Sequence, residues 1–297
     1  MPWLKRRGSR VATVDADIVH LGATAEVVRD KDKVARNVRL LHARIDSAPS
    51  DVDAYGYLAH EYIRAGRMQE AHAVVQQGWT HVEVAESGFL HRLATARAAI
   101  LVARSDFAEA RQTLALATRL EGDNPDLLFL AAHTAESEAM TAQGDARQSL
   151  LREACDGYRR CLSLGSGVFP EVFIKGATSW NGGTRLGIVL LLLEKPGEAR
   201  EAFTRAIAQG PSERGPALGC AEAFIADGDP AAGLQRLGTL MDGGPDAWTL
   251  AGVAADALGR ANDAKLFASR ARAVASRGFV AQHRRAVLLR LLERVAA

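Results

Sequence analysis

Small and large apolar residues recur along this chain at the spacing of two packed helices. The pair Leu186-Gly187 is followed by a small residue at Ala199, a large one at Phe203 and a proline at Pro211. Small side chains let two helices approach closely, and the large side chain fills the groove beside them. Proline ends the second helix, because it lacks the N–H that would continue the hydrogen-bond ladder. The segment therefore predicts a helical hairpin.

The same arrangement recurs over most of the chain. The small residues that mark the second helices are Ala71, Ala110, Ala154, Ala199, Gly233 and Ala264. The predicted hairpins cover 52–85, 90–122, 125–164, 180–211, 214–245 and 245–275. The turn near Gln143-Gly144 is predicted to be enlarged. Since one hairpin cannot bury its own apolar face, we expect neighbouring hairpins to stack.

This pattern resembles the tetratricopeptide (TPR) repeat over about 51–275. The resemblance implies an all-α, TPR-like right-handed α-solenoid of about six helical hairpins. It also implies a groove, lined by the first helix of each hairpin, that binds a protein or peptide segment. By repeat phase, the inward-facing residues are His60, Arg64, Arg92, His133, Glu136, Glu222 and Asp256. The Lys/Asn clamp with which some TPR domains hold a C-terminal carboxylate is absent, because Gly56 and His60 stand at its positions.

The two ends of the chain depart from the repeat. Residues 11–21 are β-branched and partly alternating, which predicts a strand, followed by a turn at 22–24 and a helix from about 25 to 46. The predicted domains are a strand-helix lead-in at 1–50, the repeat domain at 51–275 and a capping helix at 276–297. The apolar stripe of the capping helix comprises Val287, Leu288, Leu291, Leu292 and Val295. Its arginines lie mostly off that stripe, where they are either solvated or available to contact an anionic surface.

Residues 18–75 show a second resemblance. They are similar to the junction between the catalytic domain and the C-terminal TPR region of bacterial family-2 glycosyltransferases. The similar parts are the run Ile18 to Gly22, the Arg36-Asn37 core of the next helix and the first hairpin. That resemblance implies a catalytic α/β domain upstream, for which far too few residues precede the junction. It suggests a C-terminal fragment, a truncated paralogue or one half of a split enzyme.

Candidate chemistry outside the groove is weak. Asp15 and Asp17 have the spelling of an Asp-x-Asp metal site but fall inside the predicted strand, and His20 matches a late histidine of the glycosyltransferases without the rest of that site. His60-Glu61 lacks the second histidine that a zinc protease requires four residues after the first. We therefore expect no catalytic residue, metal or cofactor in this chain.

Composition supports the helical interpretation and limits the partners. Alanine-rich, aromatic-poor apolar content suits close helix packing, and the abundance of Ala and Arg is typical of a GC-rich bacterial genome. The net charge of +2 divides into +4 in 1–10, +4 in 277–297 and −6 in 11–276, which argues against a nucleic-acid groove. The three cysteines form no metal or disulfide pattern, and no signal or membrane-spanning run is evident, so we expect a cytoplasmic protein.

Three functions remain open at this point. The first is a non-catalytic protein-interaction scaffold, and the second is the auxiliary region of a glycosyltransferase. The third is a regulatory protein with a small-molecule pocket among the irregular middle hairpins. Residues 164–178, which contain Gly, Pro and two Phe without a helical period, form either a packed loop or part of a binding surface.

Overall fold

The structure is a computed structural model of the 297-residue chain that describes residues 33–82, 90–165, 167, 169, 172–241, 244–274 and 282–296. These residues form α-helices and a short 3-10 helix, with no strand among them. The helices are α1 (Lys33–Ser47), α2 (Val52–Arg64), α3 (Met68–Trp79), α4 (Leu90–Ala103), α5 (Phe107–Glu121), α6 (Pro125–Ala139), α7 (Gly144–Ser163), α8 (Trp180–Leu192), α9 (Pro196–Gln209), α10 (Arg214–Ala226), α11 (Pro230–Leu237), the 3-10 helix Gly238–Leu240, α12 (Pro245–Ala257), α13 (Ala261–Val274) and α14 (Gln282–Ala296). The predicted strand at 11–21, its turn, Asp15, Asp17, His20 and the first part of the predicted helix lie outside the described residues.

The helices follow one another as six hairpins, α2–α3 to α12–α13. Their first residues are the predicted ones, and their second helices end one to eight residues before the predicted limits. The small residues that were expected to anchor the second helices are all buried: Ala71, Ala110, Ala154, Ala199, Gly233 and Ala264. The large residue four positions further is buried too, as Phe203 in α9 and Tyr158 in α7 illustrate. The spacing in the sequence therefore records a real packing pattern.

Five of the hairpins turn in the same way. In each of them, the residue two positions after the end of the first helix has a left-handed backbone conformation. These residues are Gly66, Ser105, Glu194, Gly228 and Gly259. The next N–H then donates back to the carbonyl five residues earlier, as Arg67 does to Tyr62 at 2.9 Å and Lys195 to Leu190 at 2.9 Å. These bonds satisfy carbonyls that a helix end leaves without partners. Between α6 and α7 the connection is longer, as expected near Gln143-Gly144.

Glycines allow close approach where first helices meet. A Cβ atom on Gly56 of α2 would lie 2.7 Å from the backbone nitrogen of Leu93 and 2.7 Å from Cβ of Arg92, both in α4. Real Cβ atoms do not approach backbone that closely, so this position requires glycine. The first helices α2 and α4 contact each other, as do α8 with α10 and α10 with α12.

The described residues fall into two compact units. The first has the bounds Met1–Leu130 with Val168–Phe173, and the second Ala131–Gly167 with Ile174–Ala297. In the first unit, Val38, Leu41 and Ile45 of α1 pack against the core of the first hairpin, in agreement with their spacing of three and four. The predicted domain limits at residues 50 and 275 are not tested by this division and stay predictions.

The C-terminal helix α14 buries part of its predicted stripe against α12 and α13, with Leu288 and Leu291 nearly inaccessible. The expectation that its arginines are solvated is wrong for Arg284, which is 1% exposed. The spacing explains this, because Arg284 precedes Leu288 by four residues and Leu291 by seven and so lies on the same stripe. Arg290 and Arg294 are exposed, and their contact with an anionic surface stays a prediction. Within the described ranges, each helix is too short or too polar to cross a bilayer.

Candidate functional site

The residues that the repeat phase predicted lie on the first helices of the hairpins, and the surface that these helices form within each unit is called here its first-helix face. In the first unit it brings His60 of α2 and Arg92 of α4 together. His60 Nε2 lies 3.1 Å from the carbonyl oxygen of Arg92 and 3.0 Å from Oγ1 of Thr95. Arg64, one turn after His60, extends into solvent with 69% of its side chain exposed and a contact of 3.2 Å to Glu61.

Arg92 is fixed by contacts to α2. Its side chain is only 6% exposed, and Nη1 donates to Oδ1 of Asp53 at 2.5 Å. The guanidinium also lies 4.6 Å from the centre of the Tyr57 ring. Because the cation is paired and covered, it orders this part of the first-helix face rather than presenting a free charge to a partner.

Phe173, from the long loop before α8, lies on the same face of the first unit. Its ring stacks on the imidazole of His60, with ring centres 4.0 Å apart and an angle of 3° between the planes. Tyr57 meets the ring edge-on at 6.1 Å. The backbone N–H of Phe173 donates to Oδ2 of Asp126, a fully buried carboxylate, at 2.8 Å. Of the two sequence-based interpretations of this loop, packing and lining a binding surface, the position of Phe173 is compatible with both.

In the second unit, His133 and Glu136 of α6 belong to a buried polar cluster. Tyr158 of α7 donates its hydroxyl to Oε2 of Glu136 at 2.6 Å, and Arg185 of α8 donates from Nη1 to Oε1 at 3.1 Å. His133 Nδ1 lies 3.5 Å from Oε2. Glu136 is 6% exposed as a residue, whereas 27% of the His133 side chain and 31% of the Arg185 side chain reach solvent.

These contacts set the protonation of the cluster. Burial alone would raise the pKa of Glu136, but the hydrogen bond with His133, the charge of Arg185 and the Tyr158 hydroxyl bring it below its ordinary value. Burial and the neighbouring Glu136 raise the pKa of Tyr158 well above its ordinary value. The pKa of Arg185 is raised, since the nearby carboxylate outweighs burial. The cluster therefore presents a fixed cation and a half-exposed imidazole around a buried anion.

Glu222 and Asp256 are each paired with a residue of α14. Arg284 donates from Nε and Nη2 to Oε2 of Glu222 at 2.9 and 2.7 Å, and its Nη1 lies 3.4 Å from Oδ1 of Asp246. Arg294 Nη2 lies 3.1 Å from Oδ2 of Asp256, with both side chains partly exposed. The acidic residues that the sequence placed late in the groove are therefore balanced by cations of the C-terminal helix.

The remaining chemistry is limited. Among the described residues no group of three His, Cys, Asp or Glu side chains is arranged to hold a metal ion. Cys155, Cys161 and Cys220 are all buried, and they form no disulfide. The first-helix face thus offers hydrogen-bonding groups, aromatic rings and charges of both signs, which are the elements of non-covalent recognition.

Sequence reasoning missed several members of these clusters, namely Tyr57, Asp126, Tyr158, Phe173, Arg185 and Arg284. Tyr158 carried a signal, because it stands four residues after the small anchor Ala154, where the repeat pattern has a large residue. Asp126 is one residue after Pro125, in the first turn of α6. A buried carboxylate at such a helix start accepts N–H donors readily, but the partner at Phe173 is 47 residues away.

Comparison with solved structures shows a TPR-like fold. A tetratricopeptide repeat protein from Parabacteroides merdae aligns with a TM-score of 0.58 and 12% identity, over 89% of this chain and 94% of that one. PilF of Pseudomonas aeruginosa aligns with a TM-score of 0.55 and 16% identity, over 73% and 88% of the two chains. The Cut9–Hcn1 hetero-tetramer of the APC/C gives a TM-score of 0.63 at 11% identity, with 90% of this chain matching 48% of that one.

No protein-family model matches this chain, and no curated protein matches its sequence. The similarity therefore rests on structure alone, at identities that establish the fold and leave the partner open.

Proposed function

We propose that this protein is a non-catalytic interaction scaffold that binds a protein or peptide segment of mixed charge on the first-helix faces of its hairpins. The observation that carries the proposal is the way the polar residues of these faces are held. His60, Glu136 and Arg185 are fixed by hydrogen bonds between neighbouring helices, yet His60 and Arg185 keep part of their surface in solvent. Such preorganised polar groups lower the entropy lost on binding.

The fold supports the same proposal. Stacked hairpins create extended surfaces that suit long, thin ligands such as a peptide segment. One of the structures similar to this chain, Cut9–Hcn1, is itself a hetero-tetramer. For the present chain the partner is proposed to lie across the exposed polar side chains, which include Arg64 in the first unit and Asp256 in the second.

Charge changes on the first-helix face test the proposal. Partners retained by the immobilised chain from a lysate of its source cells are identified and quantified for the wild type, Arg64→Glu and Asp256→Asn. Arg64 is largely exposed and Asp256 partly so, so both variants should fold. We expect at least one of them to reduce capture of the same partner by about tenfold, which corresponds to about 1.4 kcal/mol.

Equivalent changes on second helices serve as matched controls. Arg119→Glu in α5 and Asp156→Asn in α7 alter exposed charges away from the first helices. If these controls weaken capture as much as the test variants, or if none of the four changes has an effect, the assignment of the binding face is wrong.

The auxiliary region of a family-2 glycosyltransferase is the alternative function. This alternative rests on the resemblance of residues 18–75 to that junction. In the described part of this segment, Asn37 Nδ2 of α1 donates to Oε1 of Glu61 in the first hairpin at 3.0 Å, which joins α1 to the repeats. This function requires a glycosyltransferase domain encoded directly before Met1 or in an adjacent gene, and nucleotide-sugar turnover when the two parts are combined. Absence of both would exclude it.

A further inference from the structure

Phe173 occupies a defined slot on the first-helix face of the first unit, called here the Phe173 slot and formed by Tyr57, His60 and Asp126. The ring lies flat on the imidazole of His60 at 4.0 Å and meets Tyr57 edge-on at 6.1 Å. The main-chain N–H of the same residue bonds to Asp126 at 2.8 Å. Any extended peptide segment that contains a phenylalanine can make the same two contacts, one through the phenyl ring and one through the main-chain N–H.

The walls of the slot are held by contacts that do not involve Phe173. His60 is oriented by the carbonyl of Arg92 and by Thr95, and the Arg92 guanidinium covers the ring of Tyr57. The main chain of Asp126 is fixed by the side chain of Asn124, since the N–H of Asp126 donates to Oδ1 of Asn124 at 2.9 Å. These contacts do not depend on Phe173 and would hold the walls of the slot in its absence.

The slot is also accessible. Phe173, Tyr57 and His60 are only half-buried, and Val172, directly before Phe173, has 42% of its surface exposed. By contrast, Asp126 is fully buried. A buried carboxylate acceptor together with two partly exposed aromatic side chains is suited to bind the backbone N–H and the ring of one residue.

We propose that the Phe173 slot is a binding site for a phenylalanine in an extended peptide segment of a partner, and that Phe173 is its intramolecular occupant. This inference rests on the proposed function, because it specifies what the first-helix face of the first unit recognises. An occupant tethered within the chain competes at an effective concentration of about millimolar. An external peptide therefore binds weakly until Phe173 is displaced or removed.

The probe is a fluorescently labelled peptide with the chain's own sequence 164–178, titrated against the full-length protein by fluorescence anisotropy. Three proteins are compared: the wild type, Phe173→Ala, and the matched control Val172→Ala, which changes the exposed neighbouring residue. We expect Phe173→Ala to bind the peptide at least tenfold more tightly than the other two. The same peptide carrying Phe173→Ala should lose at least tenfold in affinity for the emptied slot.

Two results would overturn the inference. The first is that the unchanged peptide binds the Phe173→Ala protein and the Val172→Ala protein with equal affinity. The second is that the unchanged peptide and the Phe173→Ala peptide bind the Phe173→Ala protein with equal affinity. If circular dichroism shows that Phe173→Ala does not fold, Phe173→Leu replaces it, since leucine keeps an apolar side chain but lacks a flat ring. Peptide binding to Phe173→Leu is then compared with binding to Val172→Ala in the same way. The proposed function is tested separately, by partner capture with the Arg64 and Asp256 variants. Either test can therefore fail while the other succeeds.

Discussion

Replacing Arg284 by methionine removes the cation that faces Glu222 and Asp246 and leaves its apolar stem largely in place. Arg284 is fully buried, and the two carboxylate side chains are 13% and 5% exposed. Burial opposes the charge of Arg284, but the two carboxylates hold its pKa above the ordinary value. Loss of one partner from a buried pair is destabilising by about 3–5 kcal/mol, because the remaining charge is left uncompensated. We expect Arg284→Met to fall in this range.

The measurement is urea denaturation followed by circular dichroism at 222 nm and neutral pH. Arg290→Met, an exposed change on the same helix, is the control and should remain within about 0.5 kcal/mol of the wild type. The double variant Arg284→Met/Glu222→Met should recover part of the loss, because it removes one of the two buried carboxylates that Arg284→Met leaves without a cation. A loss below about 1 kcal/mol for Arg284→Met would show that solvent reaches these carboxylates and would refute the argument.

Two further predictions concern packing and pH. Gly56→Ala should lose about 1–3 kcal/mol of stability, because the added Cβ overpacks against α4. The control Gly197→Ala, whose added Cβ meets no atom within 4 Å, should be neutral or gain up to about 1 kcal/mol. Equal melting temperatures for the two variants would contradict the close approach of α2 and α4. Glu136 has a lowered folded pKa, so its ionisation adds stability above the ordinary value of 4.5, and this is lost as the pH falls through the folded pKa. Glu136→Gln should therefore be less stable at neutral pH and lose less on acidification to about pH 3, as measured by thermal denaturation; parallel pH profiles would exclude this role.

Hairpin limits and buried anchors could be predicted from the sequence because both are local. Ala199 and Phe203 lie on one face of the same helix, and their relation depends only on helical periodicity. The partners in the candidate sites are not local. Arg284 meets Glu222 across 62 residues, and which first-helix side chains oppose each other depends on how successive hairpins stack. A single sequence fixes the phase of each repeat and leaves the offset between repeats undetermined.

Phe173 shows a second limit. Its loop has no helical period, so the periodicity that located His60 could not place a ring against it. His60 and Arg92, two of the residues predicted to face inward, meet across two first helices, and their contact with a partner stays a prediction. The repeat phase could not anticipate that charges such as Arg92 and Glu222 are engaged in internal ion pairs.

The shared turn geometry implies that the hairpins differ in local stability. Three of the five turns use glycine in the left-handed conformation, but Ser105 and Glu194 adopt it with φ of 65° and 59° and carry a Cβ atom. That conformation costs a residue with a Cβ about 1–2 kcal/mol. Relative to glycine at the same positions, this strain lowers the free energy needed to open α4–α5 and α8–α9 by about the same amount, which favours transient opening of these two hairpins.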